Sequence, residues 1–156
     1  AYLATHRAKQ LSANIRPLPD VLLEILPILP DWIPDIFVLI IILLDILVPF
    51  IIHGDVNDYS GLKHIVNMFT YIMFIRSLTT WVTTLPSPLL TKSSLGYGQH
   101  DLIFSGHTAI MFCAAKSNIG YLFAGIGTLT VLCARQHYTV DVIIAIVIVE
   151  LTKHTR

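Results

Sequence analysis

Apolar residues dominate this chain of 156 residues and gather in long stretches separated by short polar links. Hydrophobic residues make up 54% of the sequence and charged residues 13%, which is about half the share of an average soluble protein. A domain of this size cannot bury so much hydrocarbon in a core of its own. The composition therefore predicts helices that lie in a membrane. The formal net charge is zero and there is no long basic run, which argues against nucleic-acid binding.

The apolar stretches predict an all-α fold, a polytopic transmembrane helical bundle with about five spans. The expected spans are 36–52, 65–85, 103–115, 119–134 and 140–151. We divide the chain into a polar N-terminal segment with an interfacial amphipathic piece at 1–35 and a transmembrane domain at 36–156. Three prolines interrupt the helical pattern of 21–34, and Trp32 suits the edge of a bilayer.

The later spans are short for a complete membrane protein. Only 29 residues separate His107 from His137, whereas crossing a membrane and returning needs about 40. The chain begins with Ala1, and its first twenty residues lack the apolar core of a signal peptide. We therefore expect either shortened helices or a piece of a longer protein.

The string SGHT, Ser105 to Thr108, and the string HYTVD, His137 to Asp141, carry the clearest chemistry. A neutral imidazole attacks phosphorus well when a carboxylate holds its second ring nitrogen. Positions i and i+4 share a helix face, so we expect Asp141 to fix the ring tautomer of His137. His107 then protonates the leaving alkoxide and later takes a proton from the acceptor hydroxyl. The pattern predicts phosphoryl transfer with His107, His137 and Asp141 as catalytic residues.

A lipid phosphate also needs donors and positive charge around its oxygens. Ser105 and Gly106 offer a hydroxyl and a backbone N–H, and Arg76 or Lys63 offers a cation. The expected substrate-phosphate site consists of Arg76, Ser105, Gly106, Lys63 and Tyr138. No metal ion and no other cofactor is expected, because the acidic residues are scattered and both histidines already have roles.

Structural interpretations of the same residues remain open. A single buried histidine more often serves structure than catalysis. Asp141 in a first helical turn is a suitable cap for that helix. Arg76 is able to extend its charge to an interface, and Asp45 suits helix packing better than reaction. The cysteines Cys113 and Cys133 lie in apolar stretches and have no metal-type spacing.

Four blocks in the same order resemble a known pattern over about residues 16 to 146. The first is PLPD at Pro17 to Asp20, and the third and fourth are the strings around His107 and His137. The second matches at Arg76 and Thr83. Departures from the pattern occur at Arg16, Lys63, His64, Met73, Gln99, His100 and Ile146. On these blocks the chain resembles the sphingomyelin synthase family, which is related to the lipid phosphate phosphatases.

The resemblance implies transfer of phosphocholine from phosphatidylcholine to ceramide, giving sphingomyelin and diacylglycerol through a phosphohistidine. The implied partners are a membrane phospholipid donor and a ceramide acceptor, with homo-oligomer formation left open. The implied location is integral to the Golgi or plasma membrane, with a lumenal or exoplasmic active site. Family members have six helices, so the first helix is expected to precede Ala1. An aromatic face for choline is expected from Tyr138, Phe74, Trp81 or Tyr97.

Two alternatives from other classes remain. A lipid phosphate phosphatase uses water in place of ceramide, and the lysine of its opening motif is only approximately matched by Lys9 before Arg16. A truncated, non-catalytic homologue retains the triad without a formed site. Short spans and the altered second and third blocks favour that second alternative.

Overall fold

The computed structural model describes residues 18–48, 51, 59–82, 88 and 104–154. All regular secondary structure within these ranges is helical. The helices are α1 (Val21–Ile25), α2 (Ile33–Ile42), a π-helical turn (Leu43–Leu47) that continues α2, α3 (Tyr59–Val82), α4 (Gly106–Ala114), α5 (Asn118–Cys133) and α6 (Thr139–His154).

Short polar side chains start three of these helices. The Asp20 carboxylate accepts the backbone N–H groups of the first turn of α1. The Ser105 hydroxyl accepts the N–H of Thr108 at the start of α4, and the Ser117 hydroxyl accepts that of Gly120 at the start of α5. Each bond satisfies a donor that has no partner inside its own helix. The serine of the SGHT string is therefore a helix cap as well as a candidate site residue.

A residue in the left-handed helical conformation ends α5 and turns the chain toward His137. Arg135 has a φ of 56°, which is uncommon for a residue with a side chain. Its N–H donates to the carbonyl of Leu132 at 3.0 Å, and the N–H of Gln136 donates to that of Val131 at 3.3 Å. This pair of bonds is the Schellman ending of a helix, usually built with glycine. The Arg135 guanidinium also donates to the carbonyl of Leu26, which fixes the turn to the segment after α1.

Helix α4 lies at the centre of the described structure, where it packs against α2, α3, α5 and α6. One face of α4 joins a core built mainly with α2 and α5. The opposite face joins a second core with α3 and α6, whose buried members are Met68, Ile72, Phe104, Ala109, Cys113, Ala145 and Val149. Because both cores share this short helix, the start of α4 is held from several sides.

Asp45 connects the π-helical turn to the start of α5. It is 6% exposed, and its carboxylate accepts the Ser117 hydroxyl at 2.6 Å and the backbone N–H groups of Lys116 and Ser117 at 2.7 and 3.0 Å. The carboxylate fills the space where a side chain at Gly120 would stand. Burial raises the pKa of Asp45, but the hydrogen bonds outweigh burial and hold it below its usual value. Asp45 thus has the packing role that its position in an apolar stretch suggested.

The helices are shorter or more polar than the predicted membrane spans. Helices α5 and α6 have 16 residues each and α4 has 9, whereas a span needs about 20 apolar residues. The 24 residues of α3 include Lys63, Asn67 and Arg76. In the part of the chain that the structure describes, no helix combines the length and hydrophobicity required to cross a membrane.

The described residues agree with the predicted all-α class. The predicted polytopic transmembrane bundle is wrong, and so is the predicted integral location in Golgi or plasma membrane.

Candidate functional site

His137 and Asp141 lie together where α6 begins. The His137 side chain is 8% exposed and that of Asp141 1%, and His137 Nδ1 lies 3.8 Å from Asp141 Oδ2. This separation is an ion-pair distance and exceeds a hydrogen bond. Asp141 Oδ2 instead accepts the backbone N–H of Tyr138 at 2.9 Å, as an acid in a first helical turn does when it caps the helix. The two side chains are therefore close to each other, as expected, but these two atoms do not form a hydrogen bond. Asp141 also caps α6, as the alternative interpretation held.

The second carboxylate oxygen of Asp141 is also buried. Among the described residues no group donates a hydrogen bond to Asp141 Oδ1. An unsatisfied buried acceptor costs about 1–3 kcal/mol. Hydrogen bonds of catalytic groups are often long before substrate binds and tighten afterwards.

A backbone contact joins the two strings that carry the histidines. The N–H of Ser105 donates to the carbonyl of Asp141 at 3.4 Å, and both residues are buried. The start of α4, with His107 in its first turn, therefore lies beside the first turn of α6. The positive end of a helix favours an anion at this place.

Arg76 brings positive charge to the same place from α3. Its guanidinium occupies the space that a side chain at position 106 would need, so it packs against the backbone of Gly106. A guanidinium offers fixed, always charged donors suited to phosphate oxygens. The structure thus brings Arg76, Ser105 and Gly106 together, and it supplies a steric reason for glycine between Ser105 and His107.

His107 has a partner that the sequence analysis did not identify. Its Nε2 lies 2.9 Å from Oδ1 of Asp35, in the first turn of α2, and the two side chains are 34% and 67% exposed. This contact holds one ring nitrogen of His107 and leaves Nδ1 for proton transfer. The only signal in the sequence is an acid at the start of an apolar stretch, and nothing in that stretch indicates a partner 72 residues away.

The PLPD block meets the string that contains His137. Asp20 accepts the backbone N–H and the hydroxyl of Thr139, both at 2.7 Å. Burial raises the pKa of Asp20, but these bonds and those from the first turn of α1 outweigh it, so the pKa lies below its usual value. The N–H of Leu18 donates to the Tyr138 hydroxyl at 3.1 Å. Burial, with the charges of Asp141 and Asp20, raises the pKa of Tyr138. Asp20 is thus a positioning residue that sequence reasoning left out of the site.

Lys63 does not join this group. It is exposed in the second turn of α3, thirteen positions before Arg76 in the same helix, which is about 20 Å along the helix axis. Of the two predicted cations, Arg76 is the one that the structure places against α4, at Gly106. The assignment of Lys63 to the phosphate site stays a prediction. Several matched or altered block positions lie outside the described residues, namely Arg16, Pro17, Thr83, Gln99, His100 and Asp101, and so does Tyr97.

No set of three or more metal-binding side chains occurs within the described ranges. No protein-family model matches the chain, and searches of curated proteins and of solved structures find no match either. The resemblance to sphingomyelin synthases therefore remains an interpretation based on four sequence blocks.

Proposed function

We propose that this protein transfers phosphocholine from phosphatidylcholine to ceramide, giving sphingomyelin and diacylglycerol through a phosphohistidine on His137. The observation that carries the proposal is the meeting of three elements at one place. The start of α4 bears His107, the start of α6 bears Asp141 beside His137, and α3 places Arg76 against Gly106. Without that meeting, the two histidine strings would be unrelated pieces of sequence.

The first half-reaction uses the more buried histidine as nucleophile. With Nδ1 directed toward Asp141, His137 attacks phosphorus through Nε2. The bond between phosphorus and the diacylglycerol oxygen breaks, and protonated His107 gives its proton to that oxygen. The positive charge that develops on the His137 ring is stabilised by the Asp141 carboxylate.

The second half-reaction regenerates the enzyme. The primary hydroxyl of ceramide attacks the phosphorus held on His137, and neutral His107 takes the hydroxyl proton. The phosphorus–nitrogen bond breaks, which leaves sphingomyelin, neutral His137 and protonated His107. Arg76 and the backbone N–H of Gly106 at the start of α4 stabilise the phosphoryl oxygens in both halves.

The test is product analysis with phosphatidylcholine labelled in its headgroup, presented in detergent micelles with and without ceramide. We expect labelled sphingomyelin only when ceramide is present. Labelled phosphocholine formed without ceramide would replace the proposal with a lipid phosphatase. Absence of both products from a folded chain would leave the non-catalytic homologue.

A variant separates the nucleophile from the rest of the site. His137→Ala should abolish transfer and also abolish label bound covalently to the protein, whereas His107→Ala should slow both halves by about 10²–10⁴-fold. Normal product formation by His137→Ala would refute the assignment of the nucleophile. Circular dichroism of each variant checks that the helices remain.

A further inference from the structure

An apolar groove lies directly beside the string that contains His137. Its volume is about 410 Å³, and Leu18, Val21 and Leu22 form one wall while Val140 and Ile143 of α6 form the other. All five side chains are exposed, from 40% for Leu22 to 70% for Val21. Exposed apolar side chains that face each other across a groove form a surface for an apolar ligand.

The polar groups of this groove are already occupied by one another. Both oxygens of Asp20 accept hydrogen bonds from Thr139, and one also accepts from the N–H groups of Leu22 and Leu23. The Tyr138 hydroxyl accepts the N–H of Leu18. The groove therefore offers hydrocarbon to a ligand, because its polar atoms serve to hold the two walls together.

The groove lies next to the residue that the proposed function makes the nucleophile. Tyr138 and Thr139, which line it, immediately follow His137 in the chain, and Asp141 lies within the same helical turn. In a phospholipid only the glycerol unit separates the phosphate from the acyl chains, so a donor with its phosphorus at His137 would carry its acyl chains near the groove. We propose that the groove binds one acyl chain of the phospholipid donor. This inference rests on the proposed function, since it takes His137 as the place of the phosphorus.

The test measures binding rather than turnover. Full-length His137→Ala protein is titrated with a homologous series of short-chain phosphatidylcholines, below their micelle concentrations, by displacement of a fluorescent analogue. We expect the affinity to rise about fourfold for each added methylene that the groove buries. Ile143→Glu in the same background should weaken the longest member at least tenfold and flatten the dependence on chain length.

A matched control lies one turn further along α6. Val147 is 50% exposed and does not line the groove, so Val147→Glu should leave the chain-length dependence unchanged. Equal loss in both variants, or no loss in Ile143→Glu, would overturn the inference. A change in sedimentation of lipid-free Ile143→Glu would also overturn it, because the groove would then bind a second copy of the chain.

The two proposals fail in different ways. If lipid binds with the expected dependence on chain length but the wild-type chain makes no product, the proposed transfer fails while the acyl site stands. If transfer occurs but chain length has no influence on binding, the acyl chain lies elsewhere and only the inference fails.

Discussion

Single side chains in this molecule serve structure and the candidate site at once. Asp141 caps α6 through Tyr138 and also lies 3.8 Å from the ring of His137. Ser105 caps α4 and donates its own N–H to the carbonyl of Asp141. A substitution at either residue therefore affects helix stability together with chemistry, and only variants that separate the two effects are informative.

Gly106 offers such a separation. In Gly106→Ala the new methyl group meets the Arg76 guanidinium, which is the end of a flexible side chain and moves away while the fold remains. Losing a charge-assisted hydrogen bond of about 1.5–3 kcal/mol should lower kcat/KM for the phospholipid by about tenfold to hundredfold. The measurement is steady-state transfer.

Gly125 provides the control for this prediction. It is exposed within α5, and a methyl group there meets no atom within 4 Å. Gly125→Ala should keep full activity and raise the free energy of unfolding by up to about 1 kcal/mol, because alanine favours the helix. If Gly106→Ala were as active as Gly125→Ala, Arg76 would have no part in phosphate binding.

Asp35 is expected to position His107 without touching substrate. Asp35→Asn should lower kcat by about tenfold to hundredfold with little change in KM, since misplacing a catalytic group by about 1 Å costs about 10²-fold. Partial recovery in Asp35→Glu would identify the carboxylate as the active feature. Asp31→Asn is the control and should behave as wild type. Asp31 is an exposed neighbour, and its contact with Gln136 is made by its backbone carbonyl, which the substitution keeps.

At the scale of helices, the polar contacts connect elements that are distant in sequence. Asp45 joins the π-helical turn to α5, Asp20 joins α1 to α6, and Lys153 near the end of α6 donates to the carbonyls of Phe112 and Ala115 at the end of α4. Each satisfies helix-end groups that would otherwise be unpaired. The arrangement of the helices is thus specified by a few buried hydrogen bonds in addition to apolar packing.

The Asp45 contact predicts a dependence of stability on pH. The folded pKa of Asp45 lies below its ordinary value, so its contribution is present above about pH 4 and is lost as pH falls through the folded pKa. Asp45→Asn should reduce the free energy of unfolding at neutral pH by about 1–3 kcal/mol and weaken the loss of stability in acid. Urea unfolding across this pH range is the measurement. Some acid sensitivity should persist, because the Asp20 pKa is lowered too.

Across the whole molecule, α4 carries one core on each face, and Cys113 lies in the second core. It is 2% exposed, and burial raises the pKa of its thiol to about 12. Because the thiolate is the form that reacts, labelling of Cys113 by a thiol reagent at neutral pH should require unfolding. In a Cys133→Ser variant, the labelling rate should rise with urea in parallel with loss of helical signal. Rapid labelling of the native protein would show that the two cores open independently.

The sequence predicted local features of the molecule better than distant contacts. Apolar stretches at 119–134 and 140–151 correspond closely to α5 and α6, because the length of an apolar run and its polar ends are local properties. The same stretches were wrongly assigned to a membrane, because the assignment followed their apolar composition although runs of this length are shorter than the about 20 residues that a span needs. The contact of Asp35 with His107 joins residues far apart in the chain, and no local pattern indicates it.

The link between Ser105 and Asp141 is formed by backbone atoms, so replacing either side chain leaves both of its partners in place. A catalytically inactive variant such as His137→Ala should therefore retain the native arrangement of the first turns of α4 and α6. When this variant is mixed with the phospholipid donor and the ceramide acceptor, it should bind both lipids without reaction, which makes it suitable for crystallography or cryo-microscopy of the bound state.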